Sequence, residues 1–97
     1  MTVYAIALLS IQDREEYARY EAGFMDIFAR HEGRLLSVDE APAVLEGEWP
    51  HTRTVLLEFP SAEALDAWYR SDDYQTLAQH RFIASTGSIV RIQGLPS

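Results

Sequence analysis

The chain opens on a run from Val3 to Ile11 that is apolar at nearly every step. At a period of two, Val3, Ala5, Ala7, Leu9 and Ile11 share one face of a strand, while Tyr4, Ile6 and Leu8 share the other. Asp13 follows with Glu16 three positions on, the spacing of a helix N-cap and its reciprocal acid. Tyr17, Tyr20, Phe24, Ile27 and Phe28 then recur at helical steps. They predict an amphipathic helix to about His31, with Gly33 placed to end it in the left-handed conformation. A second strand is expected over residues 34–38, resuming over 43–46 beyond a break from Asp39 to Pro42. Because Pro42 lacks a ladder donor, this strand belongs at an edge or carries a bulge there.

Gly47 and Pro50 in the stretch EGEWPHTR punctuate a hairpin. The third strand, 52–59, sets Arg53, Val55, Leu57 and Phe59 on one side and Thr54, Leu56 and Glu58 on the other. Ser61 caps a second helix whose inward stripe is Ala64, Leu65, Trp68 and Tyr69. Ser71-Asp72-Asp73 reads as a further cap, so the helix breaks and restarts, carrying Tyr74, Leu77, Ala78 and Phe82 inward. Gly87 marks the exit to a last strand, 88–92, and residues 94–97 form a tail expected to fray.

The order strand, helix, strand, strand, helix, strand predicts an α+β fold. It is the ferredoxin-like βαββαβ arrangement, with a four-stranded antiparallel sheet and both helices on one face. Two helices roof only one side, yet the first strand is apolar on both, and Leu56 also points away from the Val55 side. A wet face would leave several hundred Å² of apolar surface in water, at roughly 25 cal/mol per Å². The expected cover is a second copy, giving a twofold homodimer through sheet faces, a dimeric α/β barrel.

Length and charge narrow the possibilities. The 97 residues suit a single domain over 1–97. No cysteine is present, which removes disulfides, thiolate metal sites and cysteine nucleophiles. The net charge of −7 opposes binding along nucleic acid or an anionic membrane. The related RNA-binding topology is set aside on the same ground, with no basic-aromatic pattern on the final strands. The opening run VYAIALL has no cationic region before it and is far short of the roughly 20 residues of a membrane span. A cytoplasmic protein is expected.

The stretch EGEWPHTRTVLLEFPSAEALDAWYRSDDYQTLAQHR carries a family pattern. It combines Glu46-Gly47, a Trp-Pro turn, Arg53, EFPS, the pair Trp68-Tyr69, Ser71 with Tyr74, and Arg81. In that order it resembles the domain-of-unknown-function 1330 family, and the likeness extends over essentially the whole chain. The resemblance implies the dimeric α/β-barrel superfamily, which includes cofactor-independent monooxygenases, lactone isomerases and haem proteins. It implies no particular reaction.

The candidate site residues are Arg53, His51, Tyr17, Tyr20, Trp68, Tyr69 and Glu58. Arg53 either grips a substrate carboxylate or pairs with Glu46 or Glu48 across the hairpin. Glu58, five residues on, lies on the opposite face of the strand. It is either a general base or the partner of backbone or an Arg across the dimer. Tyr17, Tyr20, Trp68 and Tyr69 form core stripes whose polar tips also suit a ligand cleft. Trp49, in a turn with no local core, either rims a pocket or packs into the partner subunit, and the dimer contact is the favoured reading. His51 beside Arg53 is placed to exchange a proton at a pocket mouth. His31, His51 and His80 are scattered, so no metal site is read, and no cofactor is called for. Two functions follow. One is the binding or transformation of a small aromatic or acidic metabolite between helices and sheet, with Arg53 as anion anchor. The alternative is a non-catalytic dimeric scaffold or stress-associated binding module.

Overall fold

Strand β1 (Val3–Ile11) runs inside the sheet, and the computed structural model, which describes residues 1–96, sets the other elements around it. These are α1 (Arg14–Phe28), β2 (Arg34–Asp39), β3 (Arg53–Phe59), α2 (Ala62–Tyr69), α3 (Asp72–Ala84) and β4 (Ser85–Gln93). The strand order is β2-β3-β1-β4 and each neighbouring pair is antiparallel. The helices lie on one side, and the chain measures 36 × 35 × 16 Å, a slab two layers thick. This is the ferredoxin-like α+β fold that the element order predicts. No helix among the described residues is long and apolar enough to cross a membrane.

The predicted caps form, but Glu16 does not return a bond to Asp13, whose amide donates to the Ala84 carbonyl at 3.1 Å. Asp13 accepts from the Glu16 amide at 3.1 Å, Ser61 from Ala64 at 3.1 Å and Ser71 from Tyr74 at 3.2 Å. Ser71 therefore divides α2 from α3 by satisfying an amide that a continuous helix would bond to a carbonyl. Helix α1 stops at Phe28, one turn short of His31, and Gly33 does not adopt a positive φ. Packing is what holds that glycine: a Cβ there would lie 2.5 Å from Phe28 Cζ and 2.7 Å from the Phe59 ring.

Strand β2 is an edge, and its irregularity falls between Leu35 and Ser37 rather than at Pro42. The expected resumption over 43–46 does not form. The Asp39 carboxylate accepts from the Ala41 amide at 2.9 Å, which turns the chain off the sheet just before Pro42. Residues 40–52 are a loop, with Gly47 at φ +84°. Strand β4 starts directly after α3, three residues earlier than predicted, and Gly87 lies within it at φ +152°. A Cβ on Gly87 would land on the Leu8 carbonyl oxygen, so β1 and β4 meet only because none is there. In the tail, Gly94 donates to Thr2 at 2.8 Å and Leu95 is exposed; Ser97 lies outside the described residues.

The register assigns the two faces. Val3, Ala5, Ala7 and Leu9 of β1, with Leu57 and Phe59 of β3, are buried beneath the helices. On the other side the row Leu56–Ile6–Val90 crosses three strands, flanked by Tyr4–Ile92 and Leu8. Val90 and Ile92 are exposed there, and Tyr4, Ile6, Leu8 and Leu56 are half-buried. Helix α3 departs from its predicted phase. Tyr74, Ala78, Arg81 and Ala84 face inward, whereas Phe82 is 46% exposed. Seven residues make nearly two whole turns, so a helix that buries Tyr74 returns Arg81 to the same side and swings Phe82 about 100° past it.

Candidate functional site

Small side chains at the centre of β1 leave the layers unsealed. A cavity of about 150 Å³ lies above Ala7 and Leu9 of β1 and Val55 and Leu57 of β3, reaching Leu35 and Val38 on β2 and Ile89 on β4. Helix α1 covers it with Tyr17, Tyr20, Glu21, Phe24 and Met25, and Trp68 and Arg81 come from α2 and α3. Arg53 completes the wall from the start of β3. The lining is apolar apart from two arginines, one glutamate and the tips of the aromatic residues.

Arg53 points toward the helices, with a side chain only 14% exposed. Its partners are neither Glu46 nor Glu48. Glu21 of α1 stands 3.2 Å from Nη2 and Glu40 of the loop 3.4 Å from Nη1. Glu40 also binds Arg14 at 2.7 Å. That hydrogen bond from Arg14 holds the Glu40 carboxyl below its ordinary value, opposed by burial and helped by Arg53. The Arg53 guanidinium also sits 5.3 Å from the Tyr17 ring centre, while its Nε has no hydrogen-bond partner. Arg53 is thus a cation already matched by two carboxylates at the α1–β3 margin of the cavity.

Tyr17 and Tyr20 stand with ring centres 5.4 Å apart. The Tyr20 hydroxyl shares a 2.8 Å hydrogen bond with Tyr74, which fixes its orientation. Burial pushes all three phenols up; Arg53 opposes the rise at Tyr17, and Arg81 opposes it at Tyr74. They are neutral side chains at ordinary pH. Trp68 is 1% exposed, tilted against Tyr74 at 4.4 Å between ring centres and stacked on Phe59 at 5.5 Å. Its Nε1 has no hydrogen-bond partner.

Four of the residues singled out in the sequence, Arg53, Tyr17, Tyr20 and Trp68, meet at this cavity. The other three do not. Glu58 lies on the opposite face of the sheet, 3.5 Å from Arg34 of the neighbouring strand, so the sheet separates it from the cavity. Tyr69 borders a shallow outer groove with Phe82, Ser85 and Thr86. His51 packs edge-on against Trp49 within the loop, 5.0 Å between ring centres, outside the cavity lining. Two lining residues carry functional groups that sequence reasoning did not place there. Glu21 stands outside the apolar stripe of α1, and Arg81 enters the sequence reading only through the family pattern. Ser85 Oγ donates to the Arg81 carbonyl at 2.7 Å, a tie to β4 that leaves the guanidinium free to turn inward. Among the described residues no group of three or more His, Cys, Asp or Glu side chains gathers to hold a metal ion.

Solved structures share this architecture. The RPA0582 protein of unknown function from Rhodopseudomonas palustris superposes with a TM-score of 0.79 at 19% identity, over 99% of this chain and 84% of its own. SnoaB, a cofactor-independent oxygenase from Streptomyces nogalater, gives 0.71 at 11% identity, over 99% and 95%. A dabb family protein with a ferredoxin-like fold from Mesorhizobium loti gives 0.64 at 11% identity, over 99% and 97%. At such identities the likeness is one of fold. No curated protein matches the chain in sequence. A family model does, over residues 2–95, and the chain belongs to the family described as Domain of unknown function (DUF1330).

Proposed function

We propose that the protein binds or transforms a small aromatic or acidic molecule in the cavity between α1 and the sheet, acting as a homodimer. The observation that carries the reading is the cavity itself: about 150 Å³, walled by Tyr17, Tyr20, Trp68 and aliphatic side chains, with buried N–H groups that have no partner. Apolar walls with a few convergent polar groups are the usual construction of a ligand site. A void of that size holds a single six-membered ring. SnoaB, on the same fold, is an oxygenase that works without a cofactor. That supports a catalytic variant of the reading by analogy of architecture alone.

The test is a panel of one-ring acids, phenols and amides in thermal melts. A ligand at ten times its Kd adds about 1.4 kcal/mol, raising the midpoint of a chain this size by at least about 5 °C. A melting point unmoved by every compound overturns the reading. The dimer is argued from the Leu56–Ile6–Val90 row and its neighbours Tyr4, Leu8 and Ile92. Ile6→Arg places a charge at the middle of that face without touching the cavity. Sedimentation should give dimers for the native chain at micromolar concentration and monomers for the variant; native monomers refute the interface.

A further inference from the structure

The chain carries eight basic side chains, all arginine. Six of them, Arg14, Arg19, Arg30, Arg34, Arg53 and Arg91, are ion-paired, and Arg70 is exposed to water. Arg81 is neither. It is 8% exposed, and among the described residues no carboxylate forms an ion pair with it. Its guanidinium lies 5.8 Å from the Tyr20 ring centre and 4.8 Å from that of Phe82, and its Nε has no hydrogen-bond partner. Aromatic faces offset part of the cost of burying a cation but bring no opposite charge. The phenols of Tyr20 and Tyr74 beside it are held neutral by burial and do not serve as counter-ions.

Trp68, on the same cavity, also has an unanswered N–H. With the Nε of Arg53 these make three open donors, and only Arg81 among them carries a buried positive charge that no carboxylate answers. What completes them is an anion with acceptor oxygens, carried on a body that suits the apolar walls.

We propose that Arg81 is the anion-binding residue of the cavity and that its ligand is a one-ring carboxylic acid, with the carboxylate on Arg81 and the ring against Val55 and Ile89. This rests on the cavity being the ligand site, and it moves the anchor from Arg53, whose charge Glu21 and Glu40 already match, to α3. Arg81 also borders the outer groove beside Phe82 and Ser85, so the experiment has to tell the two sides apart.

Benzoate and its neutral counterpart benzamide are the probes, titrated calorimetrically into the full chain. The native protein should bind benzoate at least tenfold more tightly than benzamide. Arg81→Met should abolish that preference while melting no lower than the native chain without ligand, because an unpaired buried charge has been removed. Arg81→Lys keeps the charge without the planar fork and should weaken benzoate at least threefold with benzamide unchanged. That variant decides the matter if the methionine form fails to fold. Ala7→Leu, which fills the cavity from β1, should weaken both probes. Benzoate preference that survives Arg81→Met, or benzoate affinity unchanged in Arg81→Lys or Ala7→Leu, overturns the assignment. Equal binding of the two probes to the native chain also ends it while leaving the cavity a ligand site. If no compound of the wider panel binds, the cavity reading itself falls.

Discussion

The layer between helices and sheet is built in two ways. Around Trp68 the rings of Phe28, Phe59 and Tyr74 interlock, with centres 4.4 to 5.6 Å from that of the indole. A short distance along the same layer, β1 offers Ala7, and the space above it is left open between Tyr17, Tyr20 and two arginines. The chain has aromatic volume to spare, so the hollow does not come from a shortage of large side chains. It comes from where they stand. Trp68 and Phe59 fill one region with rings in mutual contact, and the tyrosines of α1 form the wall of the other. A core that is solid in one place and open in the next, with its buried cations gathered at the opening, is the contrast on which the proposed ligand site rests.

The largest effect should come from breaking the solid region. Trp68→Ala removes the ring on which the others pack and should cost about 3–5 kcal/mol, a large share of the roughly 5–15 kcal/mol that holds a domain this size. Chemical denaturation followed by circular dichroism measures it. A loss under about 1 kcal/mol would mean that the aromatic cluster is as slack as the cavity, and the contrast would be gone.

A sharper test applies one substitution in both places. Ala78 is fully buried on α3, whereas Ala7 faces the cavity. Ala78→Leu overpacks and should destabilise by about 1–3 kcal/mol. Ala7→Leu enters open space and should change stability by no more than about 0.5 kcal/mol in the absence of ligand. Equal costs at the two positions, measured from the same denaturation curves, would show that no usable space exists above β1.

Much of the solid region is legible in the sequence, because periodicity and capping are local signals. The stripe from Tyr17 to Phe28, the caps at Asp13, Ser61 and Ser71, and the two faces of β1 each follow from residues a few positions apart. The cavity is legible only in part. Tyr17, Tyr20, Trp68 and Arg53 stand out by type and face, but Arg53 pairs with Glu21 and Glu40, contacts across the fold that no spacing rule supplies. Arg81 is legible as part of the family pattern but not as a buried cation, because the amphipathic rule gives the inward place to its neighbour. A pattern that sends apolar residues inward selects Phe82, one position on, and the outward turn of Phe82 follows from packing against α1. The expected strand over 43–46 fails for a similar reason: Ala43 and Val44 have strand-compatible character, but the turn at Asp39 carries the chain off the sheet before them.

The smallest expected effect lies at the rim of the open region, where exposed Arg14 and Glu40 pair with each other and Glu40 reaches on to the partly buried Arg53. The Glu40 carboxyl is held below 4.5 in the folded chain by the hydrogen bond from Arg14, with Arg53 adding to it. A lowered carboxylate contributes stability that is fully present above the unfolded value and fades as pH falls through the folded one. The native chain should therefore exceed Glu40→Gln in melting temperature by a degree or two at pH 7, roughly what an exposed pair gives. The margin should narrow as pH falls below the ordinary carboxylate value and shrink again in 0.5 M salt, where the Debye length falls to about 4 Å. The solid region has no such carboxylate, so Ala78→Leu should lose the same stability at pH 7 and pH 4. A Glu40 margin that is constant across both pH values and both salts would mean that Glu40 acts by packing alone, and that the electrostatic contrast between rim and core is not what distinguishes them.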